Sequence, residues 1–70
     1  MRDVILSKPA VELYKILKFE GLISSGGEAK AAIDAGLVKV NGEVETRKRR
    51  QINAGDIIEI GDEKLQMRLL

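Results

Sequence analysis

Residues 24–42 read "SSGGEAKAAIDAGLVKVNG", and the fold turns on the change of rhythm inside them. Ser25 stands three residues before Glu28, the spacing of a capping box that satisfies bare N–H groups in a helix's first turn. Ala29, Ala32 and Ile33 then recur as a narrow apolar stripe, and Gly36 is placed to close the helix in a left-handed cap. From Leu37 the period falls to two. Val38 and Val40 alternate with polar residues as far as Asn41-Gly42, both of which accept the positive φ of a type I′ turn. A short helix therefore hands over to a β-hairpin.

Upstream, "RDVIL" (2–6) is short and apolar enough for an edge strand. In "SKPAVELYKILKFEG" (7–21), Pro9 suits a first helical turn, Ala10, Leu13, Tyr14 and Leu17 recur at helical spacing, Ile16 widens that face, and Gly21 ends it. Tyr14 and Phe19, the two aromatic residues, belong to this pattern and read as core. Downstream of the hairpin, "NAGD" (53–56) is a turn, "IIEI" (57–60) a strand, and "GDE" (61–63) a second turn. Leu65, Met67 and Leu69 then alternate with Lys64, Gln66 and Arg68 in a last strand. The expected fold class is α+β, with two N-terminal helices packed on a small, mainly antiparallel sheet and residues 1–70 forming a single domain. Val4, Leu6, Leu13, Leu17, Ile33, Val38, Val40, Ile52, Ile58 and Ile60 should supply much of the core.

A chain of 70 residues buries only about 60% of the surface its unfolded form exposes, and it holds no Cys for a disulfide and no His or Cys for a zinc site, so it must hold by packing alone or with help from a partner. Metal and cofactor are expected to be none. No apolar run approaches the ~18 residues of a membrane helix, and the first residues carry Asp3, Pro9 and Glu12 where a secretory signal needs an unbroken apolar stretch. The expectation is a cytoplasmic monomer.

Charge is unevenly spread beneath a net of +1. Residues 1–35 balance, residues 36–51 hold five basic against two acidic side chains, and residues 52–70 hold two against four. The excess in the middle comes from Arg47, Lys48, Arg49 and Arg50. Such a run is a solvated loop, a nuclear localisation signal, or a patch that attracts a polyanion. Gly26 and Gly27 raise a parallel choice. Each weakens a helix by up to about 1 kcal/mol against Ala, so they let the second helix approach the first closely, bare an N-terminus to an anion, or do both.

The ordered set Ser25, Ala29, Lys30, Ile33, Gly36, Val38, Val40, Asn41, Gly42, Ile52, Gly55, Asp56 and Ile58 resembles the S-four RNA-binding domain. That module is named for small ribosomal subunit protein four and also occurs in pseudouridine synthases and some tRNA synthetases. The whole chain is similar to the short stand-alone bacterial members of the family. The resemblance implies the alpha-L RNA-binding motif, with the second helix, the hairpin and its following loop forming the RNA-binding face. On that face it places Ser25, Gly26, Gly27, Lys30, Lys39, Asn41, Arg47, Lys48, Arg49 and Arg50, with Lys15 and Lys18 at the border. The family usually has Arg where this chain has Gly26, and often Pro-Ser where it has Lys48-Arg49.

The implied function is recognition of structured RNA, rRNA or tRNA, in a ribosome- or translation-associated role. With so few aromatic residues, backbone and shape carry recognition rather than stacked bases. An enzyme is not expected: there is no His or Cys, and Glu43 and Glu45 read as solvent-facing strand positions. DNA readout lacks a helix rich in Arg, Asn or Gln. The alternative is a protein–protein adaptor that docks through a sheet edge or the acidic C-terminal part.

Overall fold

The computed structural model describes residues 1–8 and 10–69. The chain opens on a strand, β1 (Arg2–Leu6), and a three-residue strand, β2 (Ala10–Glu12), follows before any helix forms. The helices α1 (Leu13–Phe19) and α2 (Gly26–Asp34) come next, then β3 (Val38–Val40), β4 (Glu43–Val44), β5 (Gln51–Asn53), β6 (Ile57–Ile60) and β7 (Glu63–Leu69). The expected α+β class holds, but the helices do not stand at the N-terminus. The expectation for Pro9 lies outside the described residues, and Ala10 belongs to a strand.

Five strands form one sheet in the order β1-β7-β6-β3-β4, and β2 pairs separately with β5. Only β1 and β7 run parallel among these pairs, and β1 is an edge strand, as its sequence predicted. Alternation sorts the faces: Val38, Val40, Ile58, Leu65, Met67, Val4 and Leu6 turn inward to meet Leu13, Ile16, Leu17, Ala29 and Ile33 of the helices. Full burial of a side chain such as Leu13 or Ile33 contributes roughly 1.5–3 kcal/mol. Ile60, expected in the core, is half-buried at its margin, and Leu65 and Met67 on the long strand complete the centre.

The late start of α1 has a nonlocal cause. Its N-cap residue, Glu12, makes no side-chain cap. Instead the first two helical N–H groups, on Leu13 and Tyr14, donate to the carbonyls of Arg50 and Lys48 at 3.0 and 3.2 Å. The loop between β4 and β5 thus caps α1 with its own backbone, satisfying donors that a helix start otherwise leaves bare.

Local rules govern α2. Ser25 Oγ accepts from the Glu28 N–H at 3.2 Å, the forward half of the expected capping box. The reciprocal half differs, since the Glu28 carboxylate accepts from the Ser24 hydroxyl at 2.9 Å. Gly36, at φ +78°, closes the helix: its N–H donates to Ile33 and that of Leu37 to Ala32, a Schellman ending that a residue with a Cβ would strain. Asn41 and Gly42 both take positive φ, 54° and 85°, as the two-residue hairpin between β3 and β4 requires.

The aromatic residues depart from the expectation of core. Phe19 is 70% exposed, because two residues beyond Leu17 is about 200° around a helix, away from the buried stripe. Tyr14, beside that stripe, is only half-buried. Gly26 and Gly27 are not required by close helix packing either. A Cβ on Gly26 would meet the Tyr14 ring at 3.9 Å, ordinary contact, and one on Gly27 would meet only Ser25 Oγ at 4.0 Å.

Candidate nucleic-acid interface

The cationic run lies in the 45–50 loop, and its backbone is fastened to α1 as described. The side chains are ordered by carboxylates. Glu45, read from the sequence as solvent-facing, is 6% exposed. Its Oε2 accepts from the backbone N–H and Nε of Arg47 at 2.9 and 3.0 Å, and its Oε1 from Arg47 Nη2 at 3.0 Å and Arg50 Nη1 at 2.9 Å. A carboxylate out of water must be paired, and two guanidinium forks pair this one. The Arg47 hydrogen bond, helped by Arg50 against the opposing effect of burial, lowers its pKa from an ordinary 4.5 to about 2. Arg47 is raised in turn by Glu45.

A second acid organises the other end of the loop. Glu12 receives Arg49 Nη1 at 3.0 Å and Lys15 Nζ at 3.1 Å, and Lys15 first, then Arg49, hold its carboxyl below the usual range. Lys48 makes no ion pair among the described residues. The run is neither a loose solvated loop nor a set of free charges: three of its four members have carboxylate partners.

Tyr14 sits where the elements meet. Lys30 Nζ from α2 lies 4.7 Å from the ring centroid, the Arg49 guanidinium carbon 5.7 Å, and Lys15 Nζ 6.0 Å. The start of α2 approaches the same ring through Gly26. The structure therefore brings together Lys15, Gly26, Lys30 and Arg49, with Arg47, Lys48 and Arg50 on the adjoining loop. Ser25 and Gly27 stand beside Gly26 in the same turn of α2.

Other expected site residues stand apart. Lys18 is exposed in the last turn of α1 and makes no ion pair among the described residues. Lys39 lies between buried Val38 and Val40, so it points to the sheet face opposite the helices, in register with Glu59. The Asn41 side chain is already engaged. Its Nδ2 donates to Asp56 Oδ1 at 3.0 Å and its Oδ1 accepts from the Ile57 N–H at 2.9 Å, while Asp56 Oδ2 accepts from the Asn53 N–H at 2.8 Å. That bonding joins the hairpin to the 53–56 turn.

Sequence reasoning missed Glu12, Tyr14 and Glu45 as parts of this site. Only Glu45 left a signal, an acid two residues before a basic run.

A five-stranded mixed sheet with two helices on one face, and a cationic loop tied back to the first helix, defines a small module of the S4 domain type. The S4 domain family matches residues 4–68, and the chain belongs to that family. Among its relatives is the Escherichia coli (strain K12) protein named "Putative RNA-binding protein YbcJ", 49% identical over 59 residues that make up 84% of each chain. The solution structure of that E. coli protein, described as revealing an alphaL motif involved in RNA-binding, is similar with a TM-score of 0.74 at 46% identity, covering 97% of this chain and 87% of that one. A crystal structure of pseudouridylate synthase is similar with a TM-score of 0.71 at 30% identity over 80% of this chain, but over only 24% of its own length. The 30S ribosomal protein S4e from Thermoplasma acidophilum gives 0.69 at 30% identity, over 83% of this chain and 31% of that one.

Proposed function

We propose that residues 1–70 act as one non-enzymatic RNA-binding domain, a cytoplasmic monomer that grips the sugar-phosphate backbone of structured RNA, rRNA or tRNA, in a ribosome- or translation-associated role. The observation that carries this reading is the convergence of Lys15, Lys30 and Arg47 to Arg50 from α1, α2 and one loop, six cations against the two carboxylates Glu12 and Glu45. The surplus of four positive charges suits phosphates, and the arginines, fixed by backbone and carboxylates, meet them with little left to order. The RNA-binding name and motif of the E. coli relative and the likeness to a ribosomal protein support the same reading. Ser25, Gly26 and Gly27 belong to the proposed face, with Lys18 at its border; Lys39 and Asn41 are left outside it for the reasons given above.

The test is the salt dependence of binding to tRNA or an rRNA hairpin. About four neutralised phosphates give a slope of log affinity against log salt near −3 to −4, hence roughly a hundredfold loss between about 50 and 200 mM salt. Replacing Lys30, Lys48 and Arg49 by Gln should flatten the slope by nearly three while costing little stability, since none of them pairs with the buried Glu45. Replacing Lys64 and Arg68 should leave the slope unchanged. A triple variant with the wild-type slope would refute the reading.

The adaptor alternative has one observation in its favour. An open groove of about 450 Å³ runs between the edge strand β1 and α1, lined in part by Ile5, Leu6, Val11, Ile16 and the exposed Phe19. A wild-type protein that ignores RNA at low salt would turn attention there.

A further inference from the structure

We propose that Tyr14 is the positioning residue of a phosphate-binding subsite: its ring gathers Lys30 and Arg49, with Lys15 beside them, so that one phosphodiester of the RNA backbone is held between α2 and the loop. The inference rests on the RNA-binding reading and gives that surface a centre.

Three cations lie within 6.0 Å of one ring centroid, and they come from three places in the chain. Like charges brought so close repel unless something holds them. Glu12 holds two, bridging Lys15 at 3.1 Å and Arg49 at 3.0 Å. Lys30 has no carboxylate partner among the described residues. What fixes its ammonium is the electron-rich face of Tyr14, at 4.7 Å, a contact of the kind that attracts cations to aromatic rings. The backbone that carries the ring is tied to the loop, because the Tyr14 N–H donates to the Lys48 carbonyl at 3.2 Å. One small surface therefore carries a surplus of two positive charges in fixed positions.

The ligand class follows from that arrangement. A phosphodiester brings one negative charge and two non-bridging oxygens, able to accept from an ammonium and a guanidinium together, and Arg49 still has donors beyond the one used on Glu12. The tyrosine packs only against the margin of the core, whose centre Leu13, Ile16 and Leu17 fill from the same helix. A nucleobase stacked on the ring is the competing use of Tyr14, and it would have to displace Lys30 first.

The experiment compares wild type with Tyr14→Phe, Tyr14→Leu, Lys30→Gln and the Tyr14→Leu/Lys30→Gln double variant, each confirmed folded by thermal melting and titrated with bulk tRNA over a range of salt. Tyr14→Phe keeps the ring and should bind as wild type. Tyr14→Leu should lose roughly threefold to tenfold in affinity and flatten the salt slope by about one. The double variant should lose less than the two single losses combined, since both disturb the Lys30–Tyr14 contact while Tyr14→Leu also frees Arg49. Tyr14→Leu with wild-type affinity, or additive losses, would overturn the proposal. Lost affinity at an unchanged slope would overturn it in favour of base stacking. Wild type that binds no RNA would bring down the functional reading together with this subsite, whereas a silent Tyr14→Leu brings down the subsite alone. If Tyr14→Leu fails to fold, NMR of the wild type decides. Lys30 methylene protons should be shifted by the ring current and should move on addition of inorganic pyrophosphate while those of Lys64 stay still; no movement at Lys30 refutes the subsite.

Discussion

Arg47 turns back onto Glu45, its neighbour but one, so that its Nε and Nη2 each donate to a different carboxylate oxygen at 3.0 Å. The pair is asymmetric: the Glu45 side chain is 7% exposed and that of Arg47 74%. One edge of the guanidinium is spent on the carboxylate and the rest faces solvent. The acid therefore costs the patch one unit of charge while fixing the direction in which two arginines present what remains.

Glu45→Gln should separate those two effects. Removing the charge leaves Arg47 and Arg50 without their anionic partner, and a broken hydrogen-bond set at a buried side chain costs about 1–3 kcal/mol. The patch gains one positive charge, so the salt slope should steepen by about one even as discrimination between structured RNA and an unstructured polyanion falls. Urea denaturation and binding to tRNA against poly(A) measure both. A variant as stable and as selective as wild type would reduce the pair to surface decoration.

Acid should act on the same residue. The folded pKa of Glu45 lies at about 2, below its ordinary 4.5, so the folded state favours the charged carboxylate. Its contribution is fully present above the unfolded value and is lost as pH falls from about 4.5 through 2. The stability gap between wild type and Glu45→Gln should accordingly be constant near neutrality and shrink across that window. Denaturant titrations at stepped pH would show it, and a gap that persists to the lowest pH would assign the destabilisation to packing.

Ser25→Ala should lose about 0.5–2 kcal/mol, because its hydroxyl accepts the Glu28 N–H at the start of α2. Ser24→Ala should lose less, since its partner, the Glu28 carboxylate, is exposed and can turn to water. Equal melting temperatures for the two variants would contradict the capping geometry.

What could be read beforehand divides along a physical line. The Ser25 cap, the Gly36 ending, the Asn41-Gly42 turn and the alternation of Val38 and Val40 depend on residues within a turn of one another, and each formed. The start of α1 was not legible because the carbonyls that cap it belong to Lys48 and Arg50, far along the chain. Glu45 carried the pattern of a solvent-facing strand residue, and only the folding of the loop onto itself buries it. Tyr14 lies next to the buried stripe of α1, so periodicity places it in the core; the cations that claim its ring come from other elements.

Gly26 and Gly27 give the last prediction. Their backbone does not need glycine: neither takes a positive φ, and a methyl group at Gly27 would meet nothing nearer than Ser25 Oγ at 4.0 Å. Gly27→Ala should therefore stabilise the protein by up to about 1 kcal/mol through helix propensity alone. In the proposed interface this turn of α2 borders the Tyr14 subsite, where added methyl groups would stand between backbone N–H groups and an approaching phosphate. The Gly26→Ala/Gly27→Ala variant should thus melt higher than wild type yet bind tRNA more weakly. Thermal melts and salt titrations on the same preparations decide the matter: higher stability with undiminished affinity would exclude these glycines from the interface, and lower stability would mean that the helix start needs more room than its neighbours leave.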